Sequence, residues 1–215
     1  MSSAPAPRVF LAFEGGDGAG KSTQARLLGD WLQDLGHVVT LTREPGGTEL
    51  GVRIRELVLG PGGICPRAEA LLFAADRAQH VDTLIGPALE RGEVVVTDRY
   101  VDSSIAYQSA GREMDADEIA RISGWATAWL RPALTVVLDV EPTIGRTRRG
   151  GVHDRLEAEP EDFHAAVRQR FLDLARANPS RYLVIDAGLD RAVISQQVRE
   201  RVARLLQPPV EGRRR

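Results

Sequence analysis

The chain has 215 residues, 43% hydrophobic and 27% charged, with a formal net charge of −2. That is the make-up of an ordinary globular protein, long enough for one domain with a sizeable core. It argues against general nucleic-acid or membrane-surface binding; no apolar run approaches the roughly 20 residues of a membrane span, and the single Cys65 excludes an intrachain disulfide or a thiolate-built zinc cluster.

In chain order, residues 1–8 read as a disordered tail without the apolar stretch of a secretion signal. Val9–Phe13 suits a strand buried on both faces. A helix pattern starts at Lys21 and carries Leu27, Leu28, Trp31, Leu32 and Leu35 until Gly36 stops it. Val38–Thr42 is a second predicted strand, Pro66–Arg91 is mostly helix former, and Val94–Thr97 is a third strand entering Asp98. Asp115–Leu130 reads as a helix ended before Pro132, Leu134–Val140 as a fourth strand and Tyr182–Ile185 as a fifth. The last helix starts near Asp190, with Ile194, Val198, Val202 and Leu205 on one face. Residues 208–215, with Pro208, Pro209 and a basic end, read as a flexible tail. Strands alternating with helices predict an α/β domain over 9–207: a five-stranded parallel sheet flanked by helices, with ligands beyond the carboxyl ends of the strands.

Gly15-Gly16-Asp17-Gly18-Ala19-Gly20-Lys21-Ser22 fits G-x-x-x-x-G-K-[ST] between a predicted strand and a predicted helix. Glycines let successive N–H groups turn toward one anion, and the helix N-terminus adds about half a positive charge. Lys21 is then placed for the β- and γ-phosphates of a nucleoside triphosphate, and Ser22 for Mg²⁺. Arg43 and Arg99 each follow a strand, where a guanidinium can offer a fork to a second phosphate; Asp98 is the acidic partner for Mg²⁺. From Leu138 to Glu157, Arg146, Arg148, Arg149 and Arg155 surround Gly150-Gly151, as a flexible basic lid at about 142–157 would require.

Assembled, these residues resemble a bacterial thymidylate kinase. The carrying motifs are Phe13-Glu14-Gly15 with the loop, Arg43-Glu44-Pro45-Gly46-Gly47-Thr48, Phe73-Ala74-Ala75-Asp76-Arg77, Asp98-Arg99-Tyr100 continuing through Ser103-Ser104 to Tyr107-Gln108, and Asp154-Arg155-Leu156-Glu157. The resemblance implies a P-loop nucleoside monophosphate kinase fold with a short lid, acting on dTMP and ATP as a homodimer; the lack of a secretion signal or apolar span reads as a cytoplasmic protein. It implies that Phe73 stacks on thymine and that Arg77 bonds its carbonyl edge. Ser104 and Gln108 would complete the base pocket, and Tyr107 would press where a ribose 2′-hydroxyl would sit. Arg43 and Arg99 would hold the acceptor phosphate, and Asp17 would lie near the sugar and the phosphates. Thr23 joins the nucleotide-binding set. Some relatives carry an arginine in the loop where this chain has Gly18, so the missing charge is expected from the lid, where Arg146, Arg148 and Arg149 are the candidates; Arg149 is expected to be catalytic, with Arg146 over the adenine. A GTPase switch is disfavoured because no Asn-Lys-x-Asp guanine reader is present.

Overall fold

A computed structural model describes residues 9–110, 114–150 and 154–206, apart from the side chain of Arg149. Both expected tails lie outside the described residues. Strands β1 (Phe10–Glu14), β2 (Val39–Arg43), β3 (Val94–Asp98), β4 (Leu134–Asp139) and β5 (Tyr182–Asp186) form one parallel sheet in the order β2-β3-β1-β4-β5. The three central strands are nearly continuous apolar runs because helices cover both faces. Side-chain alternation along β1 serves both layers. Val9, Leu11 and Phe13 pack on helices α1 (Lys21–Asp34) and α9 (Arg191–Leu206), while Phe10 and Ala12 pack on Ile85, Ala88, Leu89 and Tyr100. The flanking strands β2 and β5 are only partly covered.

Several local features depart from the sequence reading, which also assigns no helix at α8 (Glu161–Ala177). Residues 49–59 form a helix, α2, beyond those the sequence predicts; Thr48 caps it by accepting from Gly51 N at 3.0 Å, and Gly51, Ile54 and Val58 form its buried stripe. The Pro66–Arg91 run divides into α3 (Pro66–His80), a π-helical segment (Val81–Ile85) and α4 (Gly86–Glu90). After α5 (Val101–Ser109), helix α6 (Ala116–Ala126) stops four residues short of the expected Leu130. There Thr127 Oγ1 donates to the carbonyls of Ser123 and Gly124, and Ala128 and Trp129 turn left-handed (φ 48° and 61°), which lays the indole against Gly124. The expected flexible lid contains a helix, α7 (Pro142–Arg149), packed on α8 (Glu161–Ala177). Proline at its first turn and Arg168 of α8, paired with Asp139 and Glu141, fix where α7 begins. No helix of the described residues is long and apolar enough to cross a membrane.

Candidate active site

The chain leaves β1 at Glu14, turns through the glycine loop and enters α1 at Lys21. The α1 N-cap, Gly20, makes no side-chain cap bond, so the first-turn amides are left for an anion. Lys21 Nζ donates to the carbonyls of Gly15 (3.1 Å) and Gly16 (2.7 Å). Burial pushes its ammonium down to about 8, the nearby Arg99 charge adds to the shift, and Asp17 and Asp98 oppose it. Ser22 Oγ donates to Asp98 at the end of β3. A hydroxyl beside one carboxylate suits Mg²⁺, which keeps several waters and leans on substrate phosphates rather than on a protein cage.

Gly18 shows why this loop carries no side chain after Asp17. Its φ is +75°, and a Cβ there would run into the backbone carbonyl of Gly145 in α7. A Cβ on Gly145 would in turn strike the carbonyl of Asp17. Two facing glycines thus let the lid helix rest directly on the phosphate loop.

Asp17 and Arg99 join this loop to the neighbouring cleft. Arg99 pairs with Asp17 and donates to Ser103 Oγ (2.9 Å), Gly15 O (3.3 Å) and Tyr107 Oη (3.2 Å). Tyr107 Oη donates to Asp17 at 2.7 Å, and the guanidinium lies 5.0 Å over its ring. Arg99 has a left-handed backbone, φ 72°, which costs a non-glycine residue about 1–2 kcal/mol. Glu14 holds that turn: its buried carboxylate accepts from Tyr100 N (2.8 Å), Ser103 N (3.1 Å) and Ser103 Oγ (2.5 Å). Burial, then the charge of Asp102, raises the Glu14 carboxyl to about 8 against these bonds.

The cleft encloses about 590 Å³ including its mouth, a size suited to a small ligand. Phe73 and Arg77 of α3 line it opposite Ser104, Tyr107 and Gln108 of α5. Arg77, 2% exposed, is anchored by Glu44: its Nε lies 2.7 Å from Oε2, and its Nη2 reaches Ser104 Oγ (3.1 Å) and Tyr100 O (3.3 Å). Burial works against the Arg77 charge, but Glu44 outweighs it and the net shift is upward. Glu44 also meets His80 Nδ1 at 2.8 Å, and His80 Nε2 lies 2.7 Å from Thr42 Oγ1. Burial, then the Glu44 charge, raises the neighbouring Asp76 carboxyl to about 6.

Not every expected residue converges there. Arg43, in register with Asp98, lines the Ser22–Asp98 side rather than the cleft that Arg99 lines. Arg55 of α2 sits in the cleft between them; burial first, then the Arg43 charge, lowers its pKa. Sequence reading missed Arg55 because it missed α2, although Thr48 and the spacing of Gly51, Ile54 and Val58 mark that helix. Of the lid arginines, Arg146 donates to Glu159 O (3.3 Å) and lines the groove beside Gly16 and Asp17. Arg148 is tied to Ala187 O at 2.6 Å, and the Arg149 side chain lies outside the described residues. Arg155 is no solvent-facing lid cation; it turns inward onto Val58 O and Glu69.

This sheet order, with a phosphate loop facing an arginine-lined cleft, places the chain among the P-loop nucleoside monophosphate kinases. The family model described as thymidylate kinase matches residues 13–198. The chain is 58% identical to a thymidylate kinase of Clavibacter sepedonicus, covering 90% of this chain and 93% of that one. It is 57% identical to a thymidylate kinase of Cutibacterium acnes, covering 92% and 98%. It also resembles the crystal structure of thymidylate kinase from Ehrlichia chaffeensis, with a TM-score of 0.75 and 32% identity, covering 92% of this chain and 98% of that one. The chain belongs to the thymidylate kinase family.

Proposed function

We propose that this protein transfers the γ-phosphoryl group of ATP to dTMP, giving dTDP and ADP for dTTP synthesis in the cytoplasm. The observation that carries this reading is the Asp17–Arg99–Tyr107 junction, which belongs at once to the phosphate loop and to the cleft. Two anions gripped on either side of it meet at one reaction centre. An ionised oxygen of the acceptor phosphate attacks the γ-phosphorus in line, so catalysis is positioning plus charge neutralisation. Lys21 and the loop amides hold the ATP tail, with Thr23 on the first turn of α1. Arg99 and Arg55 carry positive charge to the acceptor side, and Arg43 reaches the acceptor phosphate from the Ser22–Asp98 side. Ser22 and Asp98 hold Mg²⁺, which neutralises phosphate charge when bound. Arg149 acts from the lid and Arg146 lies over the adenine. Phe73 stacks on the base, Arg77 and Gln108 read its edge, Ser104 holds the Arg77 guanidinium, and Tyr107 blocks a 2′-hydroxyl. Exposed Leu57 on α2, Leu71 on α3 and Trp125 on α6 support a homodimer built on that helical face.

ADP release measured with and without dTMP tests the reading; release indifferent to dTMP sinks it. Across acceptors, dTMP turns over fastest and ribonucleotides slowest. Deoxyuridylate trails dTMP by about fourfold, since the thymine methyl contributes only about 0.8 kcal/mol by burial.

A further inference from the structure

Resting on that reading, we infer that Glu69 is the positioning residue that sets which base the pocket accepts, by fixing the amide of Gln108. Glu69 stands on the buried face of α3 at i and i+4 to Phe73, and Phe73 stands likewise to Arg77. Two rungs cross from this face to α5. Arg77 Nη2 donates to Ser104 Oγ at 3.1 Å, and Gln108 Nε2 donates to Glu69 Oε1 at 3.0 Å. The second carboxylate oxygen of Glu69 takes Arg155 Nη2, and Arg155 is itself held by Val58 O at 2.9 Å from Nη2 and 3.1 Å from Nε. Glu69 is fully buried.

An ion-paired carboxylate accepts hydrogen bonds and donates none. It therefore admits only the NH₂ end of the Gln108 amide, and leaves the carbonyl oxygen for the cleft that Gln108 lines. Arg77, lining the same cleft, is donor only. The pocket thus offers an acceptor and a donor. That pair matches a base edge carrying an N–H beside a carbonyl, as thymine and uracil do. Cytosine presents a bare ring nitrogen and an amino group, so both of its groups meet their like. The discrimination is built by repulsion as much as by attraction, and a buried polar group left unpaired is what makes such rejection strong. Arg155 adds a consequence: it lies at the C-terminal end of the lid segment, so the base reader and that segment share one carboxylate.

The test is Glu69→Gln, an isostere whose amide can donate as well as accept and so lets Gln108 turn over. The readout is the ratio of kcat/KM for dTMP over dCMP, with dTMP over dUMP as the internal control. The expected result is a fall of about tenfold or more in the first ratio, while the second stays within about twofold because both bases show the same edge. A first ratio unchanged within about twofold overturns the inference. So does an equal fall in activity on all three substrates, which is what a merely structural role produces. Should Glu69→Gln fold poorly, the charge-neutral pair Glu69→Gln with Arg155→Gln carries the same measurement and the same two outcomes. A wild-type enzyme that prefers dCMP would instead defeat the thymidylate reading itself, so the two failures are distinguishable.

Discussion

The phosphate loop and the cleft beside it are built in opposite ways. The phosphate loop is contiguous and made mostly of backbone, with Lys21 satisfied by two carbonyls only a few residues away. The cleft beside it is lined by side chains drawn from α2, α3, α5, the turn before α5 and the end of the lid segment, and its polar groups are held by buried partners: Glu44 for Arg77, Glu14 for the Arg99 turn, Glu69 for Gln108. A loop that uses amides and a helix terminus asks little of the rest of the fold. A pocket that uses buried guanidinium and amide groups must supply each with a counter-group, because an unpaired buried charge is costly. Function and stability therefore separate in the first half and merge in the second.

Removing the loop cation tests that separation most severely. Lys21→Ala is expected to lower kcat on the order of 10³-fold with an unfolding curve close to wild type; equal loss of stability would break the contrast. On the acceptor side, Glu44→Ala strands both Arg77 and His80. It is expected to cost about 3–5 kcal/mol in denaturant unfolding, whereas Glu49→Ala, which removes an exposed pair with Arg53, costs less than about 1 kcal/mol. Gly18→Arg sharpens the comparison from the donor side. Placing an arginine after Asp17 in this loop is expected to cost about 10²-fold in kcat/KM for ATP, since it pushes α7 off the loop and small displacements of a reacting group are that expensive. A gain in rate would mean the lid can yield.

The smallest effect is a pH dependence. Burial holds the Lys21 ammonium at about 8, below its usual value, so it loses its proton as pH rises through 8. The triphosphate favours the protonated form, hence kcat/KM for ATP is flat below that pH and falls above it by up to about tenfold per unit. A profile flat to pH 9.5 would show that Lys21 keeps its charge in the free enzyme.

The strands and the phosphate loop were legible because their signals are local. Short runs rich in apolar and β-branched residues announced all five strands, and the spacing of Gly15, Gly20, Lys21 and Ser22 announced the loop. The π-helical segment, the early end of α6 and the helical lid were not legible. Trp129 folding onto Gly124, and Arg168 clamping Asp139 and Glu141, each join residues that no periodicity relates. Arg55 went unseen because its helix was unseen, and Arg155 was taken for a lid cation because its charge was visible and its partner was not.

By itself, then, the sequence determined the alternation of strands and helices, the phosphate-loop motif and several of the residues that line the cleft, among them Phe73, Arg77, Tyr107 and Gln108. Only the tertiary structure decided which carboxylate each buried cation answers to, that the Gln108 amide nitrogen is bound to Glu69, and that Arg99 lines the cleft while Arg43 lines the neighbouring Ser22–Asp98 side. The physical reason is range. Backbone preference and hydrophobic period act over a few residues, whereas a buried charge is neutralised by whatever packing brings beside it. Glu69 and Arg155 stand 86 positions apart in the chain and share one ion pair in the fold.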